Sequence, residues 1–331
     1  MFKSLDDEAM KQLNSLLDQK KSLDEKIKKI HRIVRQQERN IPSDQELLNK
    51  KKFDQQQKDG LNPAPLVPRV DLEAMVGTEV FERILDAEII DDVIETSVRG
   101  VKLKYKAPNI RALWQSTGQE YIEPELLNFI DTIEEGESYF DIGASTGVFA
   151  LYAAAKGVNT ICIEPEAANF NILNYNTYLN FNLVQGSIKN FNLALSDNDC
   201  IDEIYIKKFE EAGHVKILGN PTARGEGGEF IAEYRQHVLS FRFDTFIKLF
   251  VKKLPSHIKI DVDGAEKKLV EGMGELLLDK QIQSIFIEID DADSSSREAL
   301  EILIHAGFEI KKKVRVQNYF GEHNYILERR T

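Results

Sequence analysis

From Tyr139 to the end of the chain, short apolar runs alternate with helical patterns, and this rhythm leaves few folds open. The strand-like runs are SYFDI, TICIE, NLALS, HIKIDV, SIFIEI and FEIKKKV, with a last one in NYILERR. Between them lie the helical stretches FALYAAAKG, AANFNILNYNTYLN, AEKKLVEGMGELLLD and SREALEILIHAG. Strands that are apolar along their whole length and separated by helices pack as a parallel sheet covered on both faces. Residues 201–240 break the rhythm with short β-like pieces and the Gly-rich NPTARGEGGEF. This insertion falls beside the carboxyl ends of the strands, where α/β proteins bind ligands.

The chain before this region has a different character. Ala9, Leu13, Leu16, Lys20, Leu23, Ile27, Ile30 and Val34 keep the a/d spacing of a coiled coil, with Lys20 alone breaking the apolar seam. Residues 1–58 are therefore expected to be helical and to pair with a second copy, the following helix or the chain's own body. DGLNPAPLVPRV (59–70) has three prolines and reads as a semi-extended linker. Residues 71–96 read as helix and VRGVKLKY (98–105) as a strand or hairpin, and Pro124 suits a helix N-terminus. The net charge of −12 hides a split: residues 1–58 carry +4 and the rest −16. An acidic body argues against a broad nucleic-acid footprint. Cys162 and Cys200 are too few for a disulfide framework or a Cys-rich zinc site. No apolar run approaches the roughly 20 residues that span a bilayer, and the N-terminus lacks a signal-peptide h-region. A cytoplasmic location is the default expectation.

The sharpest local signal is YFDIGASTG, between a strand and a helix. Gly143 and Gly147 let the backbone turn tightly and approach a ligand at a helix N-terminus. Glu164 follows at the end of the next strand, 21 residues beyond Gly143, where a carboxylate can take two ribose hydroxyls. The glycines are spaced G-x-x-x-G, not G-x-G-x-x-G, which disfavours a nicotinamide dehydrogenase; no Gly-Lys-Ser/Thr forms a P-loop. An Asp-led glycine turn with a ribose-binding acid fits a nucleoside cofactor without a pyrophosphate, such as S-adenosylmethionine. A second group of acids ends two later strands: Asp261 and Asp263 with Glu266 just beyond, then Glu288 and Asp290. If those strands are neighbours, the acids converge. They could then supply a general base for an acceptor hydroxyl or hold a divalent cation such as magnesium. Asp261 and Glu266 could instead serve backbone donors at a helix start. His214, in the insertion, is the histidine best placed to act as a base; Cys162 reads as inert core.

DIGASTG, IEPEAANFNILNYNTYLN, NLALSD, SFRFDTF, IKIDVDGAEKKLVEGM and IFIEID, in that order, closely resemble the FkbM-type S-adenosylmethionine-dependent methyltransferases over roughly residues 110–329. The resemblance implies a Rossmann-like class I methyltransferase fold, a seven-stranded, mostly parallel sheet with its last strand antiparallel, starting near residue 138. It implies O-methylation, mostly of sugars in surface glycans or of polyketide-type metabolites. It assigns Asp141, Gly143, Ala144, Ser145, Thr146 and Gly147 to the cofactor turn and Glu164 to the ribose. Ala194 to Asp197, including Ser196, would line the adenine, and Asp261 and Asp263 would border the methyl group and the acceptor. Ser145-Thr146 stand where the family commonly has Asn-Ile, and DVDG replaces the commoner DVEG. The coiled segment lies outside the resemblance. The expected function is methyl transfer to a hydroxyl of a small-molecule or glycan acceptor, with recognition in residues 201–240 and self-association through residues 1–58. The competing reading is a catalytically silent scaffold that keeps the fold and assembles through its coiled coil.

Overall fold

The computed structural model describes residues 93–219, 222–223, 228–316 and 321–330. The expected coiled segment, the proline linker and residues 71–92 of the expected lead-in helix lie outside the described residues. The last four residues of that reading belong to a hairpin instead. β1 (Val93–Val98) pairs antiparallel with β2 (Val101–Lys106), and Val98 faces Val101 across a two-residue turn. Arg99 and Gly100 both adopt positive φ, +47° and +83°, the demand of a tight hairpin turn. β-branched Val93, Ile94 and Thr96 suit a strand better than a helix. The Arg99 guanidinium ties the turn to the body through Asp131, Asn128 (2.8 Å) and the Pro124 carbonyl (3.3 Å).

Three short helices follow, α1 (Ile110–Thr117), α2 (Gln119–Ile122) and α3 (Pro124–Asp131), the last with Pro124 in its first turn. The main α/β succession is β3 (Ser138–Ile142), α4 (Val148–Ala155), β4 (Asn159–Ile163), α5 (Ala167–Asn180) and β5 (Ser187–Phe191). Then come β6 (Ala194–Ser196), β7 (Cys200–Ile206), β8 (Lys216–Leu218), the short ribbon β9 (Thr222–Ala223) and β10 (Gly228–Glu229), and β11 (Tyr234–Arg242). The chain closes with α6 (Phe243–Phe246), β12 (His257–Ile260), α7 (Glu266–Met273), β13 (Ser284–Asp290), α8 (Ser294–His305), β14 (Phe308–Arg315) and β15 (Glu322–Arg329).

Seven strands form one sheet in the order β14-β15-β13-β12-β3-β4-β5, in which β15 runs antiparallel to both neighbours. Its third strand in sequence is SIKNF, not NLALS. SIKNF lies at the sheet edge beside β4 only and alternates exposed with half-buried positions, so it lacks the continuous apolar run of a central strand. Ala194–Ser196, fully buried, joins a second sheet of order β6-β11-β7-β8 built largely from the insertion. The described strands of the insertion thus form a roof, in keeping with the short β-like pieces read in it.

Apolar side chains fill both faces of the large sheet. Ile258, Ile260, Ile285 and Ile287 pack with Leu269, Met273 and Leu303 on one side; Tyr139 and Phe286 pack with Leu126, Phe129 and Leu151 on the other. That double burial is why the central strands read as unbroken apolar runs. Among the described residues no helix is long and apolar enough to cross a membrane.

The hairpin docks on α5 through two asparagines. The Asn180 side chain accepts from Lys104 N (2.9 Å) and donates to Lys104 O, while Asn176 accepts from Lys106 N and donates to Thr146 O (2.8 Å). Side-chain amides here complete a strand edge that would otherwise bury unpaired backbone groups. Asn180→Ala is expected to destabilise the protein by about 1–3 kcal/mol. Exposed Asn182→Ala should stay within about 0.5 kcal/mol of the parent. Equal denaturation midpoints for the two variants would show that these bonds contribute nothing.

Candidate functional site

The turn after β3 places its backbone before any side chain matters. Gly143, Ser145 and Gly147 adopt φ of +82°, +50° and +80°, so the chain reverses repeatedly within five residues. A Cβ on Gly143 would lie 1.7 Å from the Asp261 carbonyl oxygen, and one on Gly147 would lie 2.3 Å from Leu173 Cδ1. Backbone leaves no room for a side chain at Gly143, and at Gly147 a side chain would be strained by the positive φ and would have to displace Leu173. Gly143 N and Ala144 N both donate to Ile163 O, at 2.9 and 3.0 Å. Buried Thr146 donates its hydroxyl to Gln115 Oε1 (2.9 Å).

Glu164 follows β4 and is buried, yet it lines the cleft above the turn. Ser145 N donates to one of its oxygens (2.8 Å) and Glu166 N to the other (2.9 Å). Each carboxylate oxygen therefore keeps a lone pair for a further donor. Burial pushes this carboxyl up to about 7, against the backbone donors and Lys216 that favour its charge. Glu166 caps α5 by accepting from Ala168 N and Asn169 N, both at 2.9 Å, and forms an ion pair with Lys216 from the roof.

The cleft, of about 200 Å³, opens at the carboxyl ends of β3, β4 and β12 under the small sheet. Gly143, Ser145 and Glu164 form one wall, and Asp261 and Asp263 another. Ala194 and His214 close it from the roof. Asp263 has φ of +47°, a conformation costly for a non-glycine residue, and accepts from Lys216 N (3.3 Å). Seven of the residues singled out from the sequence thus meet in one cavity.

The others lie elsewhere. Ala144, Thr146 and Gly147 belong to the turn but do not line the cleft. Ser196 bonds Asp197 (2.9 Å) at the far end of β6, so close to α7 that a Cβ on Gly272 would lie 1.9 Å from Ser196 O. Leu195 lines the cleft in their place. Glu266 accepts from Gly264 N (3.0 Å) at the start of α7. Glu288 follows Ile287, the register partner of Ile260, but β13 lies on the far side of β12 from β3 and β4, and Glu288 is outside the cleft wall. Asp290 is buried at the strand end and accepts from Ala292 N (2.9 Å).

Asp141 is also withdrawn from the cleft. It is 1% exposed and lies 3.1 Å from the ammonium of Lys259, its register partner on β12. Lys259 in turn lies 3.2 Å from Asp261 and donates to the Gly143 carbonyl at 2.9 Å. Burial alone would lower the Lys259 pKa, but Asp141, Asp261 and Glu123 outweigh it and hold the ammonium above the ordinary lysine value. Burial raises the Asp141 carboxyl despite the pull of Lys259. For a divalent cation this donor set does not fit. Asp261 already shares a buried ammonium with Asp141, Glu288 lies outside the wall, and no group of three His, Cys, Asp or Glu among the described residues could hold a metal ion.

Two members of the cluster escaped the sequence reading. Lys259 had a signal, a lysine inside the apolar run HIKI and two residues before Asp261. Glu123 had none, because only the packing of α3 brings it to β12. Burial, then the charge of Asp261, push Glu123 up to about 8. A folded-state pKa above the ordinary carboxyl value means that the folded protein binds this proton more tightly than the unfolded chain. Stability from this group is full below about pH 4.5 and is lost as pH rises toward about 8. Glu123→Gln should therefore gain on the parent in Tm as pH rises across that window; parallel Tm curves from pH 5 to 8 would refute it.

The family description "Methyltransferase FkbM domain" matches residues 141–310. No curated protein sequence matches the chain. Among solved structures the fold is similar to the precorrin-6y C5,15-methyltransferase of Geobacter metallireducens, at 9% identity over 62% of this chain and 87% of that one, with a TM-score of 0.35. It is also similar to the tRNA m1G37 methyltransferase of M. jannaschii, at 10% identity over 72% of this chain and 57% of that one, TM-score 0.38. A third likeness is M. capricolum TrmK in complex with S-adenosyl-homocysteine, at 11% identity over 62% and 68% of the two chains, TM-score 0.36. The family match spans half of the chain and takes in the glycine turn, Glu164, the roof and the β12 acids, so the protein belongs to the FkbM methyltransferase domain family.

Proposed function

We propose that this protein is an S-adenosylmethionine-dependent O-methyltransferase that acts on a hydroxyl of a sugar or glycan-type acceptor. The observation that carries the cofactor reading is Glu164. It is a buried carboxylate at the end of β4, oriented by two backbone N–H groups, and it shares a cleft wall with a turn that has no room for a side chain at Gly143. These residues fit a nucleoside without a pyrophosphate: Glu164 would take the ribose hydroxyls, the Gly143–Ser145 backbone would support the methionyl part, and Ala194 and Leu195 would flank the base. When bound, S-adenosylmethionine supplies an electrophilic methyl group. Asp261 and Asp263 in the same cleft favour a cationic sulfonium. The acceptor hydroxyl must lose its proton as its oxygen is methylated, and Asp261, Asp263 and His214 are the groups we assign to receive it.

The acceptor reading rests on the sequence resemblance and on the acidic body, which disfavours a polyanionic acceptor. Strands β7, β8 and β11 would shape the acceptor side.

Calorimetric titration of the full chain with S-adenosylmethionine and S-adenosylhomocysteine tests the cofactor reading. Ribose hydroxyls donate to an ionised carboxylate, so affinity should weaken as pH falls below about 7, where Glu164 takes up a proton. Glu164→Gln should bind roughly tenfold or more weakly and lose that pH dependence. No heat of binding at millimolar ligand, for a folded sample, defeats the reading. Methyl transfer from labelled cofactor to a panel of sugars and glycans, against a nucleic-acid control, tests the acceptor class.

A further inference from the structure

We propose that Lys259 is a positioning residue for the cofactor turn, acting through the backbone on Glu164; this rests on the methyltransferase reading above. Lys259 is 4% exposed on a central strand, where an aliphatic side chain would pack without the several kcal/mol that desolvating an ammonium costs. Its contacts point to a specific use. The peptide plane between Gly143 and Ala144 is held at both ends: Lys259 donates to its carbonyl (2.9 Å), and its N–H donates to Ile163 O (3.0 Å). The next N–H, that of Ser145, donates to Glu164 (2.8 Å). A relay of fixed peptide groups thus runs from the Lys259 ammonium to the carboxylate that takes the ribose.

Asp141 and Asp261 complete the device. They flank the ammonium at 3.1 and 3.2 Å and keep it aimed at Gly143. Asp141 therefore acts from behind the turn rather than on a ligand. The motif Asp at the end of β3 and the Lys of HIKID form a single unit, although 118 residues separate them. The arrangement also links the two walls of the cleft, because the same ammonium touches Asp261.

Lys259→Met alone leaves Asp141 buried without its partner and can unfold the chain, so the informative protein is the double variant Lys259→Met/Asp141→Asn, which removes the charge from both. Two measurements are made on it and on the parent: the S-adenosylhomocysteine Kd by calorimetry, and the hydrogen-exchange rates of the Ala144 and Ser145 amides. The expected result is a parent-like Tm, a Kd weakened roughly tenfold or more, the size of a lost hydrogen bond to a charged donor, and faster exchange at Ser145. A purely structural Lys259 would leave both Kd and exchange at parent values once Tm is restored, and that result overturns the proposal. If the parent itself does not bind S-adenosylhomocysteine, the cofactor reading falls, and the exchange rates alone decide on Lys259: faster exchange at Ser145 supports it, and unchanged exchange overturns it. A double variant that does not fold is replaced by Lys259→Gln/Asp141→Asn, read in the same way.

Discussion

The close approach of two strand ends governs the site. Gly143 and Asp261 lie so near one another that a single methyl group on Gly143 would overlap the Asp261 carbonyl. Parallel neighbours β3 and β12 bring their carboxyl ends together at one level, and the turn after β3 must bend away at once. The positive φ values at Gly143, Ser145 and Gly147 follow from that bend. So does the orientation of the Ser145 N–H toward Glu164, and with it the shape of the cleft.

Charge is organised around the same junction. The body of the chain is strongly acidic, but at the site its carboxylates are divided among distinct tasks. Glu166 caps a helix and pairs with Lys216; Asp141 pairs with Lys259; Glu266 serves a backbone donor. Glu164, Asp261 and Asp263 line the open cavity. Burial raises the proton affinity of Glu164 and Glu123 into the neutral range, so the charge of the site changes where most cellular chemistry takes place.

Legibility followed the range of the interactions involved. The glycine turn and the acid after the next strand were readable because each is specified by a few adjacent residues: glycine adopts the bend's positive φ at least cost, and a strand end presents a carboxylate outward. NLALS was misplaced because edge and central strands differ in what covers them, and a short apolar run looks the same in either sheet. Glu288 ends a strand like Asp261, but β13 stands one strand further than β12 from β3 and β4, and strand-end position alone does not reveal strand order. Ser196 and Asp197 come straight after Ala194 and Leu195, yet their backbone lies against Gly272 on α7 and not on the cavity.

The sequence by itself determined the fold class and the family, because strand–helix alternation and the glycine turn are local patterns enforced by backbone sterics and by burial on both faces of a sheet. It also determined the candidate cofactor acid, since Glu164 stands one strand beyond the turn. Only the tertiary structure decided which acids share a cavity, that Asp141 turns inward to Lys259, and that Glu123 joins them from a helix more than a hundred residues upstream of β12. Those outcomes depend on strand order and side-chain face, and both are set by long-range packing that no window of adjacent residues encodes.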